Sequence, residues 1–224
     1  MISQASQRHR ARLERVQLYL ITDAAPCSQP IERFLREAIA GGVGMVQLRE
    51  KGMSDARLLD VATRCASICR AEEIPFIVND RIDIALASGA DGVHVGQDDL
   101  SIASVRSLAG EKFIVGLSTH SPEQIEEAAS LAPDYIGVGP IHETPTKEGR
   151  KAVGVQLVSY ASQHAAQPFF AIGGLDPSNV AEVVRAGARG VSVLRWVGQA
   201  VDPIAAAREL LDQIEKAKRA CSTS

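Results

Sequence analysis

No apolar run in this chain is longer than a β-strand, so the 224 residues contain no candidate membrane span. Residues 1–17, MISQASQRHRARLERVQ, are polar and basic without an apolar core, which excludes a secretory signal in that stretch. Positive charge is not in excess either. With 24 Lys and Arg against 27 Asp and Glu, the formal net charge is −3, and no basic face for a nucleic acid is implied. Cysteine is sparse: Cys27, Cys65, Cys69 and Cys221. Cys65 and Cys69 stand four apart on a helical stretch with no His or further Cys beside them, so they read as small buried thiols rather than metal ligands. A reducing, cytoplasmic setting is expected. Linkers, low-complexity segments and a domain break are also missing, and the length is that of one α/β barrel.

What is there is a rhythm. After a polar leader, residues 1–15, expected to be flexible, short β-rich runs alternate with amphipathic stretches. The runs are QLYLIT (17–22), GMVQLRE (44–50), PFIVND (75–80), GVHVG (92–96), FIVGLS (113–118), YIGVGP (135–140), PFFAIGG (168–174) and GVSVLR (190–195). Each is almost continuously apolar, as a strand buried on both faces should be. Between them, IERFLREAIAGG carries Phe34, Leu35, Ala38 and Ile39 on one stripe, and SDARLLDVATRCASICR carries Leu58, Leu59, Ala62 and Cys65. Ser54, Ser121-Pro122, Asp176 and Asp202 are candidate helix starts. The expected fold is α/β, a (β/α)8 TIM barrel in a single domain over residues 16–218, with a tail at 219–224. A doubly wound open sheet uses the same units, but eight repeats favour closure.

In a barrel the strands' C-terminal ends converge on one face, where the site is built. Those ends carry Thr22-Asp23, then Gln47, Arg49 and Lys51, then Asn79-Asp80-Arg81, then His94 with Gln97, Asp98 and Asp99. Ser118 and His120 follow, then Thr144, Thr146 and Lys147, Gly173-Gly174, and Arg195. Asp80 with Asp98 or Asp99 suits a hard divalent cation such as Mg²⁺, held by carboxylates and substrate phosphate oxygens. Arg49, Lys51 and Lys147 then serve as phosphate partners, with Ser118, Thr144 and Thr146 donating hydroxyl hydrogen bonds. Gly173-Gly174 and the loop after the eighth strand are where this architecture places a second phosphate.

The motifs QLREK (47–51), VNDR (78–81), DGVHVGQDD (91–99), GLSTH (116–120), DYIGVGPIHETPTK (134–147) and AIGGL (171–175) resemble, in order and spacing, those of the thiamine phosphate synthase family. The resemblance runs from Val16 to the last helix. It implies transfer of 4-amino-2-methyl-5-hydroxymethylpyrimidine from its diphosphate to 4-methyl-5-(2-phosphoethyl)thiazole or its carboxylated form. The products are thiamine phosphate and diphosphate, formed through a pyrimidine carbocation with Mg²⁺ present, in thiamine biosynthesis. By motif, Gln47, Arg49, Lys51, Asn79 and Lys147 would bind the pyrimidine diphosphate, and Asp80 and Asp99 would hold Mg²⁺. Ser118, Thr144 and Thr146 would add hydrogen bonds, and Gly174 with Leu194 and Arg195 would cradle the thiazole phosphate. Arg49, Lys51, Lys147 and Ser118 are the catalytic candidates, acting on the departing diphosphate. The partners implied are small-molecule substrates, not nucleic acid or membrane, and a homo-oligomer is compatible with the fold.

The chain departs from that pattern at two places. Arg195 stands where many relatives have a serine, followed by the sole tryptophan, Trp196, which reads as packing. His142-Glu143 replaces a more usual aromatic residue and proline. Two rivals share the fold: a thiazole tautomerase, for which His120 would be an acid/base candidate, and a non-catalytic phosphate-ligand sensor. The retained carboxylates and cations argue against both. Glu148-Gly149-Arg150-Lys151 is the segment expected to act as a lid.

Overall fold

The computed structural model describes residues 3–26, 29–144 and 151–222. Among the described residues eight strands are present: β1 (Leu18–Thr22), β2 (Met45–Leu48), β3 (Phe76–Asn79), β4 (Gly92–Val95), β5 (Ile114–Thr119), β6 (Tyr135–Val138), β7 (Phe169–Ile172) and β8 (Gly190–Val193). All pair in parallel with their sequence neighbours, and β8 pairs with β1, which closes the barrel. The eight expected runs are the eight strands, trimmed at their ends except that β5 runs one residue further, to Thr119. The helices are α1 (Gln4–Leu13), α2 (Ile31–Ala40), α3 (Asp55–Ala71), α4 (Ile82–Ser88), α5 (Ile102–Ala109), α6 (Pro122–Leu131), α7 (Val155–His164), α8 (Val180–Arg185), α9 (Arg195–Gly198) and α10 (Pro203–Ser222). Among the described residues no helix is long and apolar enough to cross a membrane.

The core has two parts because each strand is covered on both faces. Outward-facing residues such as Leu20, Val46, Val78 and Val115 pack against the helical stripes, including Phe34, Leu35, Leu58 and Cys65. Cys65 and Cys69 lie in this layer as buried thiols, and burial pushes the Cys65 thiol up to about 12. Inward-facing Tyr19, Met45, Ile77, Ile114, Tyr135 and Phe170 fill the barrel axis, with Leu13 of α1 beneath them. Three of these rings, Tyr19, Tyr135 and Phe170, meet edge to face with centroids 5.2–5.8 Å apart.

Some local expectations change. The leader forms α1, capped where the Ser3 side chain accepts from the Ser6 amide, and seats Leu13 in the axial cluster. Its polarity hid this because only one apolar side chain is needed to plug the barrel's lower end. Ser54 occupies the N-cap of α3 without a side-chain cap bond, whereas Ser121 and Asp202 accept from the Gln124 and Ala205 amides. Helix α8 begins at Val180 rather than at Asp176, whose carboxylate instead accepts from the Ser178 amide and hydroxyl in the preceding turn.

Candidate active site

One inward step above the axial cluster the same strand parity changes chemistry. Register places Ile21, Gln47, Asn79, His94, Ser118, Gly137, Ile172 and Ser192 there. These residues line a cavity of about 540 Å³ at the C-terminal ends of the strands, with Tyr19 and Phe170 in its floor. Gln47 donates to the Tyr19 hydroxyl, which lies 2.8 Å from that of Tyr135. Tyr135 is 3.1 Å from His94 Nδ1, and His94 Nε2 is 2.9 Å from Ser118 Oγ. Burial raises both phenols above their ordinary value, so they remain neutral hydrogen-bonding groups. The buried Ser192 hydroxyl, also in the wall, has no hydrogen-bond partner among the described residues.

The end of β3 sends three consecutive residues to three places. Asn79 lines the cavity. Asp80 adopts a left-handed backbone, φ 60°, and the Arg81 amide bonds the Asn79 carbonyl at 2.7 Å around it. Aspartate tolerates this region better than most residues. Arg81 leaves the site to pair with Asp55 at 2.7 Å and Asp83 at 2.6 Å on α3 and α4. The Asp80 carboxyl is held above its usual value, first by burial and then by Asp99, with Lys51 and Arg49 opposing. Of Asp98 and Asp99, it is Asp99 whose carboxylate reaches Asp80, and its Oδ2 is fixed by the Gly96 amide at 2.7 Å. Arg49 is anchored through its own amide, 2.8 Å from the Thr22 carbonyl across β1.

Across the cavity lie Gly173, Gly174, Leu194, Arg195 and Trp196. A Cβ at Gly174 (φ 64°) would stand 2.8 Å from His142 Cβ and 3.0 Å from the Glu143 carbonyl. The glycine therefore admits the 139–143 segment close to β7 as well as leaving backbone groups exposed to the cavity. His142 turns to Glu182 of α8, 3.1 Å away. Arg195 is exposed, and the Trp196 indole donates to the Ala206 carbonyl at 3.0 Å, the packing role read for it. His120 bonds the Gly139 carbonyl through its ring and Gln124 through its amide, so it knits the rim together.

A family model described as thiamine monophosphate synthase matches residues 18–197, the whole barrel from β1 to α9. The chain belongs to the thiamine monophosphate synthase family. It is 45% identical over 213 residues to a thiamine-phosphate synthase of Acidothermus cellulolyticus, covering 93% of this chain and 99% of that protein. It is 42% identical over 212 residues to the thiamine-phosphate synthase of a Nostoc species, covering 95% of this chain but 59% of the relative. The chain thus spans about three fifths of the length of that relative. A solved thiamine phosphate pyrophosphorylase from Pyrococcus furiosus superposes with a TM-score of 0.83 at 30% identity, covering 92% of this chain and 98% of that one.

For this member of the synthase family, eight of the expected site residues line one cavity: Gln47, Arg49, Asn79, Ser118, Thr144, Gly174, Leu194 and Arg195. Lys51, Asp80 and Asp99 do not line it; Asp80 interacts there with Asp99, Lys51 and Arg49. Thr146 and Lys147, with the Glu148–Arg150 part of the expected lid, lie outside the described residues. Motif reading passed over Tyr19, Tyr135 and Ser192. Their signal was parity: each sits two residues before a cavity-lining position of the same strand or its end, Ile21, Gly137 and Leu194.

Proposed function

We propose that this chain joins the pyrimidine diphosphate to the thiazole phosphate, releasing diphosphate and forming thiamine phosphate. The observation that carries the reading is the meeting of Asp80, Asp99, Arg49 and Lys51 beside the cavity. Two carboxylates pressed together and flanked by cations make poor structural ion pairs. They suit a magnesium–diphosphate, whose metal needs carboxylates and whose oxygens need cations. Among the described residues no cluster of three or more His, Cys, Asp or Glu could hold a metal alone. A two-carboxylate set fits Mg²⁺, which takes its remaining ligands from water and phosphate. Asp80 and Asp99 would hold the ion, which when bound supplies positive charge to the diphosphate oxygens.

The protein's own residues do the rest. Arg49, Lys51 and Lys147 bind the diphosphate, so negative charge developing there is met by fixed cations as the C–O bond breaks and its electron pair leaves with oxygen. Ser118, Thr144 and Thr146 donate to the same group, while Gln47 and Asn79 orient the pyrimidine. The ring floor of Tyr19 and Phe170 excludes water from the carbocation until the thiazole nitrogen supplies its lone pair to form the C–N bond. Gly174 and the Leu194-Arg195 backbone, together with the Arg195 guanidinium, hold the thiazole phosphate opposite, and the setting is cytoplasmic. The purified protein, incubated with both substrates and Mg²⁺, is expected to yield thiamine phosphate, read as fluorescent thiochrome after oxidation. EDTA should abolish the signal. No product from folded protein that still binds the thiazole phosphate would overturn the assignment.

A further inference from the structure

Beneath the cavity, five side chains from five strands form one unbroken line of hydrogen bonds: Gln47 on β2, Tyr19 on β1, Tyr135 on β6, His94 on β4 and Ser118 on β5. All five are buried, and the two ends, Gln47 and Ser118, both face the cavity. Gly116 allows the middle of the line to exist. A Cβ there would lie 2.2 Å from a Tyr135 ring carbon and 2.5 Å from His94 Nδ1.

Each hydroxyl and each neutral imidazole has a single proton to donate, so fixing the direction of one bond fixes the next. Gln47 donates its amide N–H to the Tyr19 oxygen. Tyr19 is then left to donate to Tyr135, and Tyr135 to His94 Nδ1. With Nδ1 an acceptor, the neutral ring carries its proton on Nε2 and donates to Ser118 Oγ. Ser118, having accepted, keeps its own proton for the cavity.

We infer that His94 is a positioning residue, held as the Nε2–H tautomer by the Gln47–Tyr19–Tyr135 line, and that it thereby makes Ser118 a hydrogen-bond donor to an anionic group in the cavity. The reverse polarity would aim the Ser118 proton at His94 and turn oxygen lone pairs toward the anion, which is repulsive. The inferred polarity also leaves the Gln47 carbonyl oxygen to accept from a ligand N–H. A ligand with a donor at Gln47 and an anion at Ser118 satisfies both ends of the line at once. Identifying that anion as the departing diphosphate rests on the proposed function; the tautomer does not.

The test uses the full chain labelled with ¹⁵N-histidine, with the His94 ring assigned from its absence in His94→Gln. At neutral pH without substrate, His94 is expected to show an unprotonated Nδ1 and a protonated Nε2. In Tyr135→Phe that preference should be lost, kcat should fall about tenfold, the effect of one misdirected hydrogen bond, and KM should change less than twofold. Should Tyr135→Phe fail to fold, Tyr19→Phe keeps the Tyr135–His94 contact and is expected to give a tautomer mixture with a smaller loss of kcat. A protonated Nδ1 in the wild type, whether the opposite tautomer or an imidazolium, overturns the inference. So does a folded variant that keeps both tautomer and kcat. An Nε2–H ring in a protein that makes no thiamine phosphate would refute the proposed function and leave the inference standing.

Discussion

At the end of β3, Asn79, Asp80 and Arg81 are consecutive residues with unrelated surroundings, and the left-handed turn at Asp80 divides them. Asparagine shares that tolerance of left-handed backbone, so Asp80→Asn isolates the charge. The substitution is expected to lower thiamine phosphate formation by about 100-fold or more, the scale of losing a transition-state electrostatic contact. Because Asp80 faces Asp99, its loss removes a like-charge contact, and the Tm measured in EDTA should not fall. Added Mg²⁺ and pyrimidine diphosphate should no longer raise it. A variant with normal turnover would remove Asp80 from the metal site. Opposite, the exposed Arg195 borders the cavity. Arg195→Ala should raise KM for the thiazole phosphate about tenfold, one charge-assisted bond, and leave KM for the pyrimidine diphosphate unchanged. Equal KM values in variant and wild type would assign the guanidinium to solvent.

At the level of elements, the strands were legible because burial on both faces writes each as an apolar run with a polar end. Helix α1 was not. It is plugged into the barrel through Leu13 and held by polar bonds to Asp134, Pro133 and Ala166, partners remote in sequence. Asp134, at the entry to β6, stands in the sequence only as the first residue of the motif at 134–147. It is fully buried and accepts from Ser6, Arg106 at 2.8 Å and the Val115 amide at 2.8 Å. The cavity residues drawn from strand ends were legible, whereas the buried line from Gln47 to Ser118 depends on five strands meeting and has no local pattern. Gly173-Gly174 was read as an anion cradle, yet its tight packing against 140–143 is equally demanding. Gly174→Ala meets both a positive φ and a 2.8 Å contact, so it should cost about 1–3 kcal/mol by the usual scale of backbone strain, read from urea unfolding. KM for the thiazole phosphate should rise with it. A variant as stable as wild type would show that the 139–143 segment can yield.

Over the whole molecule the barrel separates two tasks: the upper end of the axis carries the candidate chemistry, and the lower end carries Asp134, Arg106 and α1. Burial alone would raise the Asp134 carboxyl, but His9, Ser6, Arg106 and the Val115 amide outweigh it and leave it below its ordinary 3.8. The unfolded chain then takes up this proton more readily than the folded one. Asp134 therefore adds stability that is complete above about pH 4 and disappears as pH falls through the lowered folded value. Asp134→Ala should cost about 3–5 kcal/mol at neutral pH, because it leaves the nearly buried Arg106 guanidinium without its carboxylate. Urea unfolding of both proteins across pH 2–7 is expected to show the gap between them narrowing only on the acid side. Removing residues 1–13 should also lower stability, by about 2–4 kcal/mol for the lost Leu13 burial and the Ser6 bond, yet kcat at a temperature where the barrel is folded should stay within about twofold of wild type. The two ends are joined by the ring cluster of Tyr19, Tyr135 and Phe170, whose Tyr135 follows Asp134 directly. If truncation lowered kcat tenfold without unfolding the barrel, the lower end would be setting the position of Tyr135, and the division of labour along the axis would fail at that residue.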